Sequence, residues 1–338
     1  MNDVVLAIYS DRLFMAAVGV YVLAMVLHAA EYATLRAARP PVAAGAPVVV
    51  GALAVDASTA DVLAQSAARP NLSDESAARP ETPAPSAGPR PRSRADRFGG
   101  AAVNLVVLGA LLQLGSIICR GLATDRWPLG NMYEFTSALC LAAVVTWLVV
   151  LRRVPALRAV ALFVLLPVVI LLFLAGTVLY ARAAPVVPAL RSYWLVVHVT
   201  TITVSSGLLV VPGVASLLYL LRRSGRGGAL VERLPPAAAL DRLAYRTTIV
   251  AFPLYTFGVI AGAIWAEAAW GRFWGWDPKE TVAFVAWVVY AAYLHARATA
   301  GWRSGRAAWI NVAGLAVVLF NLFFINMVVA GLHSYAGL

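Results

Sequence analysis

Eight apolar runs, each near or above the ~20 residues that cross a ~30 Å hydrocarbon layer, constrain what this 338-residue sequence can fold into. They lie at about Leu13–Tyr32, Phe98–Cys119, Phe135–Leu151, Pro155–Tyr180, Tyr193–Leu221, Thr247–Trp265, Pro278–Ala298 and Ala307–Gly331. A backbone in lipid must satisfy its own hydrogen bonds, so each run reads as a helix. The expected fold is an all-α polytopic integral membrane protein of about eight transmembrane helices. Pro167, Pro212 and Pro253 fall inside three of these runs and predict kinks. Composition agrees, with 61% hydrophobic and 13% charged residues and a mean hydropathy of +0.79.

Residues 36–97 are of a different kind, rich in Ala, Pro, Ser and Arg. Their longest apolar piece, Val42–Val55, is too short to span and carries a proline and glycines. The segment reads as a disordered linker, which cannot bury enough apolar surface to offset the entropy of ordering. The domain reading is therefore a first transmembrane helix at 1–35, a linker at 36–97 and a seven-helix domain at 98–338. Lys and Arg number 27 against 16 acidic residues. In a soluble chain that excess would suggest nucleic acid; here it reports topology, because cytoplasmic loops collect positive charge. Placing both termini on the outer (periplasmic) side of a bacterial cytoplasmic membrane puts 20 of the 27 basic residues inside. Membrane lipid is then the surroundings, no nucleic-acid partner is expected, and the linker is cytoplasmic. Cys119 and Cys140 form no CxxC pair, so neither a thioredoxin-like nor a zinc site is indicated.

The polar segment Trp265–Glu280, WAEAAWGRFWGWDPKE, lies between the sixth and seventh runs, on the expected outer side. It holds four of the ten tryptophans and the only lysine. Tryptophan is common at membrane interfaces without any ligand, but Trp270, Trp274 and Trp276 beside two glycines are denser than anchoring needs. Asp277-Pro278-Lys279-Glu280 reads as a helix start, with Asp as N-cap, Pro at the first position and Glu completing a capping box. Of the four histidines, His198 opens the fifth run and His333 follows the last, both on the side of the tryptophans. Two imidazoles from different helices can supply both axial positions of a haem iron. Flat indole faces, at Trp265, Trp270, Trp274 and Trp276, suit a porphyrin. Arg272 and Lys279 are among the outer cations that can meet its propionates. His295 comes eighteen residues after Asp277, roughly 27 Å along a helix, near the cytoplasmic end of its span. His28 occupies a comparable depth in the first span. An ionisable side chain within a span is a functional candidate.

WGRFWGWDPKE resembles the tryptophan-rich "WWD" signature of the cytochrome c assembly (CcsA/ResC) family. PLGNMYEF (128–135), PALRSYWLVVHV up to His198, GAIWA, YLHAR around His295 and the terminal HSY at His333 look like the same family, in order. The resemblance runs from about Phe98 to the C-terminus. It implies the two-component (System II) route of cytochrome c-type biogenesis, with a ResB/CcsB-type membrane partner. Haem b enters from the cytoplasmic side and is held within the membrane by two histidines, one from each protein. It is then presented at an external site to the CxxCH motif of apocytochrome c for thioether attachment. On that resemblance His198 and His333 are the external iron ligands and His295 the intramembrane one. Trp270, Trp274, Trp276 and Asp277 match the signature. His28 has no counterpart; as a ligand it would complete the inner site without a partner. No residue is an evident general acid or nucleophile, so any holocytochrome c synthase (haem lyase) activity belongs to the complex. A b-type electron-transfer protein is disfavoured because the four histidines fall on four different spans. A haem exporter is disfavoured by the span count.

Overall fold

The computed structural model describes residues 2–35, 93–185, 192–299, 301–302 and 305–333. The segment 36–92, most of the expected linker, lies outside the described residues. Helices α1 (Asn2–Thr34), α2 (Arg94–Thr124), α3 (Met132–Arg153), α4 (Ala161–Thr177), α5 (Tyr193–Ser224), α6 (Gly228–Glu232), α7 (Ala237–Trp270), α8 (Pro278–Ala298) and α9 (Gly305–Phe320) follow in order. A 3-10 turn at Pro155–Val160 leads into α4. A π-turn at Asn321–Ile325 and a short α-turn at Asn326–Val328 continue α9. Eight of these helical segments are long and apolar enough to cross a membrane, one for each expected run. The chain is an all-helical, multi-pass membrane protein.

Several boundaries differ from the hydropathy reading: α1 starts at Asn2, eleven residues before Leu13, and polar residues explain the early starts of α2 and α7. α2 starts at Arg94, inside the segment read as linker, because Ser93 and Asp96 form a capping box there. α7 starts at Ala237, ten residues before the apolar run, and its polar first turns are paired. Asp241 accepts from Arg297 of α8 at 2.6 Å, and that guanidinium lies 4.9 Å from the Tyr245 ring.

α5 is the most enclosed span: 72% of its apolar window is buried, against 22% for α8. It packs against α3, α7 and α9. Without a hydrophobic drive between helices in lipid, close backbone approach at small residues supplies the contact. Gly207 of α5 shows this: a Cβ there would meet Ala142 Cβ of α3 at 2.6 Å. Polar side chains join α1, α2 and α3 across the apolar interior. Tyr21 donates to Gln113 Oε1 at 2.8 Å, and Gln113 Nε2 donates to the Ser137 carbonyl at 2.8 Å.

Ion networks fasten the helix ends. At one end the buried Glu134 carboxylate accepts from Arg120 Nε at 2.8 Å, from Arg126 Nη1 at 2.8 Å and from the Gly130 N–H at 2.7 Å. Arg120 also reaches Asp11 of α1 and the Ala181 carbonyl beyond α4, and Arg126 reaches the Ala184 carbonyl. This ties four helices and the 125–131 loop together. Tyr180 donates to Asp11 at 2.7 Å, and its hydroxyl pKa is raised by burial and by that carboxylate. At the opposite end His28, Glu31, Arg158 and Asp96 form a second network. Replacing Glu134 by Gln leaves two buried or half-buried guanidinium groups short of their counter-charge, and breaking a buried pair in this way costs about 3–5 kcal/mol. A clear drop in the apparent melting temperature of purified E134Q in detergent, relative to the parent, is the expected outcome.

Candidate functional site

The Glu134 end of the bundle carries a cavity of about 1250 Å³, counting its open mouth. Its walls come from the 129–132 turn and from α3, α5, α7, α8 and the end of α9. His198, Trp265, Trp270, Trp274, Lys279 and His333 all line it. The rings of His198, Trp265, Trp270 and His333 form one connected wall. Trp265 stacks at 9° on His198 with centroids 6.0 Å apart, and meets Trp270 edge-on at 4.7 Å. His333 lies 5.9 Å from Trp265 and 5.2 Å from Trp270.

Each histidine is oriented through Nδ1. In the second turn of α5, His198 Nδ1–H donates to the Gly258 carbonyl of α7 at 2.8 Å. A carbonyl only accepts, so the proton sits on Nδ1 and the lone pair on Nε2. Gly262 makes room for the ring: a Cβ there would come 2.6 Å from His198 Cε1 and Nδ1. His333 Nδ1–H donates to Asp277 Oδ2 at 2.8 Å. In the neutral ring that bond leaves Nε2 as the ligand nitrogen.

Asp277 is not part of the cavity wall. It is buried behind His333 and caps α8 with Glu280. Its Oδ1 accepts from the Leu332 N–H at 2.7 Å. Burial pushes its carboxyl pKa up, but the bonds from His333 and from the Leu332 and Lys279 N–H groups outweigh this and hold it at about 2. Arg272 is exposed and its guanidinium lies against Gly275. Trp276 is 68% exposed and also stands off the cavity, edge-on to Trp274 at 5.8 Å. It holds φ at 57°, a left-handed conformation that L side chains rarely adopt. The flanking Gly275 and Asp277 N–H groups, both bonded to Glu280 Oε2, clamp it there at 2.9 and 3.1 Å.

The other two histidines lie elsewhere. His28 is 2% exposed, with Nδ1 against Glu31 at 3.0 Å. His295 is exposed near the end of α8, and its ring makes no hydrogen bond to the described residues. α1 packs on α2 and α4, whereas α8 packs on α7 and α9.

Some of the wall was not foreseen from sequence. Asn321 lines the cavity from the π-turn and donates to the Lys279 carbonyl at 3.4 Å, while Lys279 Nζ donates to Asn326 Oδ1 at 2.5 Å. The available signal was two asparagines, Asn321 and Asn326, in an otherwise apolar span. Leu129, Gly130, Asn131 and Phe135, all from the PLGNMYEF stretch, line the cavity too.

Fold and site together define a polytopic helical membrane protein with two oriented imidazoles in a tryptophan-walled cavity at one end. The chain belongs to the cytochrome c assembly protein family: residues 129–333 match the family model described as "Cytochrome C assembly protein", and its role therefore lies in cytochrome c maturation. It is 37% identical to the cytochrome c biogenesis protein CcsA of Synechococcus sp. (strain RCC307), over 72% of this chain and 86% of that protein. It is 38% identical to CcsA of Parasynechococcus marenigrum (strain WH8102), over 68% and 85%, and 37% identical to CcsA of Prochlorococcus marinus (strain MIT 9303), over 68% and 82%.

Left-handed backbone at a non-glycine residue costs about 1–3 kcal/mol. Trp276→Gly is accordingly expected to melt no lower than the parent in detergent, while Trp276→Val, with a β-branched side chain, melts lower.

Proposed function

We propose that the cavity is a haem b site from which the chain presents haem to apocytochrome c on the periplasmic side of a bacterial cytoplasmic membrane, together with a ResB/CcsB-type partner. The observation that carries this reading is the pair of imidazoles from α5 and from the end of the chain, both with Nδ1 tied to a hydrogen-bond acceptor. Metal-binding histidines almost always donate their other nitrogen to a carbonyl or carboxylate, which fixes tautomer and ring orientation. His198 does so to Gly258 and His333 to Asp277. His198 and His333 would hold the iron. Trp265, Trp270 and Trp274 would give the macrocycle its flat apolar wall, and the Lys279 ammonium would meet a propionate.

Bound haem supplies the vinyl groups that become thioethers; the nucleophiles are the acceptor's own cysteines. The chain's contribution is positioning and shielding. α5, buried on most sides, holds His198 at a fixed depth. The Glu134 network holds the 129–132 turn against the cavity. The aromatic wall keeps water from the iron side.

His295 supports the partner half of the reading. Ionisable groups in spans almost always face the bundle interior or a polar partner, yet His295 is exposed. It shares one stripe of α8 with the exposed Val285, Val288 and Ala292. A partner helix carrying a second histidine would cover that stripe and complete an intramembrane site. His28, in its own ion network near α2 and α4, is given a structural role.

Absorption spectra of the purified protein, alone and with its partner, test both halves. A Soret band is expected that weakens strongly in His198→Ala or His333→Ala, and in Gly262→Ala, which displaces the His198 ring. Undiminished haem content in the His198→Ala/His333→Ala double variant would overturn the cavity assignment. His295→Ala should remove only the haem whose retention requires the partner. An unchanged complex spectrum would remove His295 from the scheme.

A further inference from the structure

The two cavity histidines are tied to unlike acceptors. His198 donates to a neutral peptide carbonyl and His333 to a carboxylate, each at 2.8 Å. Hydrogen bonds to an ionised acceptor are roughly twice as strong as neutral ones. A carboxylate drawing on Nδ1–H also makes Nε2 a more basic ligand atom. Asp277 is well placed to act this way, being only 7% exposed and therefore little screened by water. Its geometry is fixed from three sides: the α8 N-cap, the Leu332 N–H and the His333 ring. Among the described residues no acidic side chain plays this part for His198, whose ring is flanked by Gly258, Gly262 and Trp265.

We propose that Asp277 is a positioning residue that makes His333 the stronger of two unequal iron ligands and leaves His198 as the ligand an incoming base displaces. The inference rests on the haem reading above. It gives the aspartate of the segment a task other than touching the porphyrin, and it gives the site a direction: one ligand retains the iron and the other yields.

Asp277→Asn removes the charge and keeps one acceptor oxygen: turned toward His333 and the Lys279 N–H it preserves the N-cap, and it gives up the bond from the Leu332 N–H. In full-length haem-loaded protein this variant should keep its haem, assayed as the pyridine haemochromogen. Its midpoint potential should rise, since an anionic hydrogen-bond partner favours ferric iron. Carbon monoxide provides the second readout. In the ferrous protein it replaces the weaker ligand, and its stretching frequency reports the donor strength of the ligand that stays. The wild-type frequency should coincide with that of His198→Ala, differ from that of His333→Ala, and move upward in Asp277→Asn. A wild-type frequency matching His333→Ala, or an Asp277→Asn variant with full haem and unmoved potential and frequency, would overturn the proposal. If Asp277→Asn sheds its haem, Asp277→Glu decides: retention of haem supports the role of the charge, and equal loss in both variants reduces Asp277 to a structural cap. A wild-type protein that takes up no haem at all defeats the haem reading itself, which is distinct from each of these results.

Discussion

One carboxylate holds the cavity together. Asp277 begins α8, accepts the Leu332 N–H and orients His333, so a residue late in the chain is fastened to the turn that precedes the seventh span. That fastening adds to the contacts of His333 with Trp265 and Trp270 and to the Lys279–Asn326 bond. The turn itself is stiffened by Glu280, whose Oε2 accepts the Gly275 and Asp277 N–H groups. The tryptophan-rich stretch is therefore a clamp as well as a surface. Its polar residues do the holding, and Trp265, Trp270 and Trp274 form the wall.

The fold was largely legible from hydropathy. Eight apolar runs gave eight spans, because lipid leaves a chain few ways to satisfy its backbone and each run had to exceed a set length. Where α2 and α7 start early, local polar pairing is the cause. The Ala237–Arg246 stretch looks like a loop by hydropathy, but Asp241 and Tyr245 find Arg297 across the helix pair. Ser93 and Asp96 begin α2 early for the same kind of reason.

The site was legible in outline and opaque in detail. Histidines and tryptophans could be put on one side of the membrane by counting spans, since that needs only order along the chain. Which tryptophans face inward could not be read that way. Trp276 stands off the cavity because its φ is positive, and residue propensity gives no reason to expect that of a tryptophan. Asp277 reads locally as a helix cap, and it is one. Its second task depends on Leu332 and His333, more than fifty residues away, and leaves no local pattern. The turn at 129–132 was visible only as a motif, with nothing in its composition to say that it closes a cavity beneath α5.

The π-turn at Asn321–Ile325 has a consequence for phase. An α-helix advances about 100° per residue, and a π-turn holds one residue more than the α-turn it replaces. Everything after Ile325 is therefore rotated by roughly a quarter of a circle or more relative to an unbroken α9. Asn326 meets Lys279, and Leu332 and His333 meet Asp277, on the far side of that rotation. The last span works like a key cut one notch off the regular helix, and the alignment of the terminal imidazole depends on that single extra residue.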